Sequence, residues 1–385
     1  MATWPACAGA AGTGRRPGLC CARTFWGARS SEHKQSGESK HSGEHAPKSI
    51  STPRVQAGSR KLGWNTRCIN FRPTKMNPDT RKDENPTSMK ICLITGANSG
   101  IGKAAAIQIA RRGYRVVMAC RNRGRGEAAL EEIKEQSARD SVDLMIVDMS
   151  LQGSVRDFAE RFTNSYEALD VLIQNAAIFD ITKKEKVFTE EGNESIWATN
   201  HLGPVLLTEL LIDSLDRSPQ GRILTVASKG LVAMPFLKVD LEDPEFRDRK
   251  FSVTKAYYQS KTAQVMYTYW LSERLKGSST TSNCIRVPSV RVDVSKYPNL
   301  PRFLRTLYSL KMKFALTPEE MARTYTYLAT SNELIHISGV YFNEKHRPVN
   351  SSKYSRDPEN VEQVMKLTMG YVGLTGPATE QAKST

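Results

Sequence analysis

The chain has 385 residues, of which 39% are hydrophobic and 25% charged, with 55 Lys+Arg against 40 Asp+Glu and a formal net charge of +15. Such a composition excludes a wholly disordered chain, and the length suffices for one large buried core or two ordinary ones. The charge invites a nucleic-acid or acidic-surface reading, yet residues 1–88 hold 15 basic and 6 acidic side chains (+9) and residues 89–385 hold 40 and 34 (+6).

Most of the basic excess therefore lies outside the part that looks foldable, so net charge alone is weak ground for nucleic-acid binding. No apolar run approaches the roughly 18 residues that a membrane-spanning helix needs. The cysteines form no Cys-x-x-Cys pair, and Cys92 and Cys120 sit in apolar strand-like runs, so a reduced, intracellular compartment suits them. The histidines and cysteines form no complete zinc-ligand pattern, and no metal site is expected.

Residues 1–88 show neither helical nor strand periodicity and are expected to be a disordered extension. Four arginines precede its first acidic residue, Glu32, the bias of a mitochondrial transit peptide, whereas Pro5 and Pro17 oppose the helix such peptides form. From Met89 the pattern changes. KICLIT (90–95) predicts a strand, and IGKAAAIQIARRG (101–113) a helix that Gly113 stops. YRVVMAC (114–120), VDLMIVD (142–148) and LDVLIQNAA (169–177) predict three more strands, separated by helices at GEAALEEIKEQSA and SVRDFAERF. A long helix over Trp197–Leu215, strand RILTVAS (222–228), helix Val253–Leu275 and strand SNCIRV (282–287) follow. The series closes with a helix near Pro318–Ala329 and a last strand ISGVYF (337–342). Strands apolar along their whole length, alternating with helices, predict an α/β fold: a single doubly wound domain over 89–345 with a central parallel sheet of about seven strands. Residues 346–385 are expected to form a C-terminal helix and a flexible tail.

Four features carry chemistry. Thr95-Gly96-Ala97-Asn98-Ser99-Gly100-Ile101-Gly102 lies between the first strand and the first helix, where glycines let backbone N–H groups approach a pyrophosphate at the helix N-terminus. The second strand ends in Cys120-Arg121-Asn122, with no carboxylate to bind a ribose 2′-hydroxyl. Arg121 is suited instead to the 2′-phosphate of NADP(H), and Asp148 is placed to reach the adenine. Tyr257 and Lys261 share one helix face. A protonated lysine there favours an ionised phenol, which makes Tyr257 a candidate acid and base. Ser228 ends the fifth strand at the carboxyl edge, where its hydroxyl can hold a carbonyl oxygen.

These motifs resemble the short-chain dehydrogenase/reductase family, a Rossmann fold, over about residues 90–345. The stretches TGANSGIGKAAA, VVMACRN, TNHLGPVLLTELL, DLEDPEF and AYYQSK resemble its retinol-dehydrogenase-like branch. The resemblance implies NADP(H)-dependent interconversion of alcohols and carbonyls on lipophilic, often retinoid, substrates. It implies Tyr257 as proton donor or acceptor, Ser228 as substrate orienter, Lys261 as binder of the nicotinamide ribose, and Asn200 as holder of a water that links Lys261 to solvent. Cofactor contacts are implied at Asn175, Ala176 and Pro288, and a homodimer is implied as well. Two loops depart from the family pattern. Gln174-Asn175-Ala176-Ala177 replaces Asn-Asn-Ala-Gly, and a Cβ at Ala177 would crowd a backbone that needed positive φ. Pro288-Ser289-Val290-Arg291-Val292-Asp293 lacks the family's Pro-Gly and the threonine that follows it. These departures motivate an alternative, a catalytically weak NADP(H)-binding sensor or scaffold. Residues 297–316 interleave apolar and basic side chains at helical spacing. They suit either a lid wall for a lipophilic substrate, with peripheral membrane contact through a basic rim, or a lid helix packed on the core.

Overall fold

The computed structural model of the chain describes residues 89–291 and 315–374. All of them belong to the second of the two units into which the chain divides, Lys61–Thr385. The N-terminal extension, most of the expected lid and the tail beyond 374 lie outside the described residues.

Strands β1 (Ile91–Thr95), β2 (Arg115–Cys120), β3 (Val142–Ile146), β4 (Val171–Gln174), β5 (Arg222–Ser228), β6 (Thr281–Val287) and β7 (Tyr341–Phe342) form one sheet in the order β3-β2-β1-β4-β5-β6-β7. Every neighbouring pair is parallel. Parallel strands need crossovers, and these place helices on both faces, so β1, β2 and β4 read as apolar runs rather than alternating ones. Helices α1 (Gly100–Arg111), α2 (Arg123–Ser137) and α7 (Pro318–Thr330) cover one face around Ile94, Met118, Ile173 and Tyr325. The other face packs α3 (Gln152–Ser165), α5 (Gly203–Asp216) and α6 (Val253–Arg274) around Leu93, Phe158, Leu206 and Tyr267. Past the sheet come α8 (Lys353–Arg356) and α9 (Pro358–Tyr371). From α9, Val361, Val364 and Met365 join that second core, each worth about 1.5–3 kcal/mol on burial. No helix among the described residues is long and apolar enough to cross a membrane.

The order reverses at β1, which pairs with β2 on one side and β4 on the other. That switch point opens the crevice at the carboxyl edge where such sheets bind ligands. Two expected elements differ from the sequence reading. The helix expected over Trp197–Leu215 is a short α4 (Ser195–Trp197), a π-helical turn Ala198–Leu202, and then α5. The last strand shrinks from the expected 337–342 to Tyr341–Phe342. Gly339 turns the backbone at φ +71°, and the Asn283 side chain takes the Ile337 carbonyl and the Val340 N–H, leaving only the Gly339 N–H to Ser282 carbonyl and Cys284 N–H to Val340 carbonyl backbone bonds to β6 before Tyr341.

Candidate active site

The phosphate loop is tied to the end of β2. Gly96 N–H donates to the Ala119 carbonyl at 2.8 Å, and Gly96 and Gly100 take φ of +68° and +58°. A Cβ on Gly102 would stand 2.5 Å from Asn175 Nδ2 and 2.6 Å from the Gly96 carbonyl oxygen, so this position excludes any larger residue. Ser99 N-caps α1 with no side-chain bond, which leaves the first helical N–H groups, near Gly100, Ile101 and Gly102, available to an anion. A dinucleotide pyrophosphate fits this cradle.

Asn175 and Ala176 brace the loop from β4. The Asn175 amide donates to the Thr95 carbonyl at 3.0 Å and to that of Gly96 at 3.3 Å, and the Ala176 N–H donates to Thr95 Oγ1 at 3.0 Å. Tyr325 on α7 donates to Asn175 Oδ1 at 3.4 Å. Thr95 and Tyr325 escaped the sequence reading; the first sits inside the motif, while the second is 150 residues away from its partner. Ala177 is absent from the residues of positive φ, so its Cβ meets no strain there, and that motive for weak catalysis falls. The Gln174 amide is occupied in donating to the Pro204 carbonyl at 2.8 Å and to Thr208.

At the end of β2, the Arg121 side chain is 71% exposed and its Nη1 stands 3.8 Å from Asp148 Oδ2, too loose a pair to hold it. The Asn122 side-chain oxygen is engaged as the N-cap of α2, accepting the Arg125 N–H at 2.9 Å. Asp148 Oδ1 accepts the Ser150 N–H and hydroxyl at 2.9 and 2.6 Å. Past β6, Pro288 leads into a segment whose Val290 bridges Leu316 and whose Arg291 N–H reaches the Leu316 carbonyl at 2.8 Å. Asp293 lies outside the described residues.

Helix α6 carries Tyr257 and Lys261 past β5. Lys261 is 2% exposed, and its Nζ donates to the Val226 carbonyl at 2.7 Å and sits 5.9 Å from the Tyr257 ring centroid. Burial pushes the ammonium down to about 8. Ser228 Oγ accepts the Gly230 N–H at 3.2 Å, which leaves its O–H free to donate. Asn200 sits inside the π turn, where its carboxamide brackets one residue. Its Oδ1 accepts the Ile178 N–H at 2.8 Å and its Nδ2 donates to the Ile178 carbonyl at 3.0 Å. The next residue, Phe179, stacks on Tyr257 with ring centroids 4.2 Å apart. The Tyr258 ring packs against Gly230, where a Cβ would come within 2.0 Å of its hydroxyl. Gln259 is also buried; it donates to the Pro244 carbonyl at 2.7 Å and accepts from Arg249 at 2.9 Å, docking the Asp240–Arg249 segment on α6. Sequence spacing alone signals none of these cross-element partners. The lid candidates among 297–314 lie outside the described residues, and among the described residues no cluster of His, Cys, Asp or Glu could hold a metal.

The family model described as short chain dehydrogenase matches residues 90–239. Retinol dehydrogenase 13 of Homo sapiens is 33% identical over 295 residues, which cover 76% of this chain and 87% of that protein. Retinol dehydrogenase 14 of Mus musculus is 35% identical over 266 residues, covering 66% and 78%. Among solved structures, an uncharacterised protein from Mycobacterium paratuberculosis superposes with a TM-score of 0.57 at 28% identity, covering 74% of this chain and 93% of that one.

Proposed function

This chain belongs to the short-chain dehydrogenase family, in its retinol-dehydrogenase-like branch, and we propose that it interconverts a lipophilic alcohol and its aldehyde or ketone with NADP(H). It is an oxidoreductase of alcohol and carbonyl groups; the cofactor form and the substrate class are what we add. The observation that carries the proposal is the placement of Lys261 beside Tyr257. A buried ammonium reaches the β5 backbone two residues before Ser228 while lying against the Tyr257 ring.

When bound, the nicotinamide supplies or accepts the hydride. Tyr257 donates its phenolic proton to the carbonyl oxygen in reduction and takes it back in oxidation, and the Lys261 charge favours the phenolate between those events. The Ser228 hydroxyl, with its oxygen already accepting from Gly230, donates to the substrate oxygen and fixes its direction. Asn200 holds the Ile178 backbone and keeps Phe179 stacked on Tyr257. In the cradle Gly96, Asn98, Ser99, Gly100, Ile101 and Gly102 hold the pyrophosphate, and Arg121 meets the 2′-phosphate. Asn122 and Asp148 border the adenosine end, and Asn175, Ala176 and Pro288 border the nicotinamide end. The named relatives are retinol dehydrogenases, which supports a retinoid-sized apolar substrate.

The test is a titration with NADPH and NADH, followed by turnover of all-trans-retinal and of simple aldehydes. Saturable NADPH binding, with retinal reduced faster than short aldehydes, is the expected result. Binding with no carbonyl turned over would overturn it.

A further inference from the structure

His201 is completely buried where three elements meet: the π turn, α6 and α9. Its Nε2 lies 2.8 Å from Thr368 Oγ1, and its Nδ1 lies 3.3 Å from Gln264 Nε2. The single hydroxyl proton of Thr368 points to the Val364 carbonyl at 2.7 Å. The Thr368 oxygen can therefore only accept, and His201 must carry its proton on Nε2 and present a bare Nδ1 to the Gln264 amide. Burial pushes the imidazole down to about 3, so the ring stays neutral and this tautomer persists across the working range of pH. The bonds run in one direction, from Gln264 on α6 through His201 to Thr368 and Val364 on α9. At one end, Gln264 stands three residues after Lys261 on the same helix. In the middle, His201 follows Asn200 directly, and its ring packs 4.5 Å from that of Trp197.

We propose that α9 is a positioning element of the active site: through Thr368 and His201 it fixes the π turn that aims Asn200, and so holds Ile178 and Phe179 against Tyr257. This rests on the roles given above to Asn200 and Tyr257. None of the three linking residues, Gln264, His201 and Thr368, is assigned to the reacting groups, so each acts through another.

The physical reason for needing such a device lies in the turn. A π turn carries an extra residue and weaker hydrogen-bond geometry than the α-helix around it, and it persists only where its surroundings hold it. Asn200 divides its carboxamide between Ile178 and Ser260 Oγ on α6, to which its Nδ2 donates at 3.3 Å, so it ties the turn to α6 but not to α9. His201 supplies the second anchor, toward α9, from the neighbouring position.

The experiment compares full-length Thr368→Val, Thr368→Ser and Gln264→Met with the parent. Leaving the buried Nε2–H without an acceptor should lower kcat for retinal about tenfold, with KM and NADPH affinity unchanged. Thr368→Ser keeps the hydroxyl and should restore kcat, and Gln264→Met should match Thr368→Val. Amide exchange at Ile178, whose N–H is held by Asn200, should quicken in Thr368→Val and Gln264→Met but not in Thr368→Ser. A lower Tm with kcat and Ile178 exchange unchanged would overturn the proposal and make His201 a packing residue. Should the parent itself reduce no carbonyl, the proposed function fails, and Ile178 exchange still decides the role of α9.

Discussion

The Lys261 ammonium donates to the carbonyl oxygen of Val226 at 2.7 Å, which ties the middle of α6 to β5 two residues before Ser228. The bond sets the depth of the lysine, and depth is what lowers its affinity for a proton. It therefore controls both the placement of the charge beside Tyr257 and the pH range in which that charge exists.

Lys261 is charged below a pKa of about 8 in the free protein. The kcat/KM for carbonyl reduction should accordingly fall as pH rises through that value, since kcat/KM reports ionisations of free enzyme. Folding responds in the opposite sense. Between about 8 and the ordinary lysine value near 10.4, the unfolded chain binds more protons than the native one, so the group's contribution to stability grows with rising pH. Thermal melts of the parent against Lys261→Met should show the parent gaining across that window; a flat difference between the two would contradict the assignment.

Arg121 is the residue proposed to select NADP(H). Its side chain is mostly exposed and only loosely paired with Asp148, so it can swing to a phosphate at little cost. Arg121→Ala should weaken NADPH binding roughly 10- to 100-fold, the loss of about 1.5–3 kcal/mol of charge-assisted hydrogen bonding. NADH affinity should be unchanged. Equal losses for both cofactors, measured by fluorescence titration, would remove Arg121 from the 2′-phosphate.

Gly102→Ala should damage the cradle itself. The added methyl meets the Gly96 backbone carbonyl oxygen at 2.6 Å, and backbone cannot move aside as a flexible side chain can. The expected cost is about 1–3 kcal/mol of stability together with loss of cofactor binding. Gly124→Ala, a glycine with only an Asn122 side-chain atom 3.9 Å from the would-be Cβ, provides the neutral comparison in the same melts.

The phosphate loop, the Tyr257–Lys261 spacing and the strand-end Ser228 were legible because each depends on contacts within one strand–turn–helix or one helical turn. The fold followed from apolar strands alternating with helices. Other features were invisible for physical reasons. One extra residue in the π turn at Ala198–Leu202 leaves the apolar pattern of a helix intact, so the sequence reads straight through it. The last strand looked longer than it is because Ile337 and Val340 pack, partly buried, against the core without belonging to the strand. The crowding expected at Ala177 does not arise, since its backbone does not enter the left-handed region. The bond between His201 and Thr368 joins residues 167 apart, and no local pattern announces it.

In the proposed function Tyr257 moves the proton while the cradle binds cofactor independently of it. Replacing Tyr257 by Phe keeps the ring that Phe179 stacks on and removes only the hydroxyl. The measurement is single-turnover reduction of all-trans-retinal by Tyr257→Phe saturated with NADPH, with the NADPH Kd measured on the same sample. The expected result is an unchanged Kd and a rate at least about a hundredfold below the parent, the scale of a lost general acid. Retinal reduction at the parent rate would contradict it.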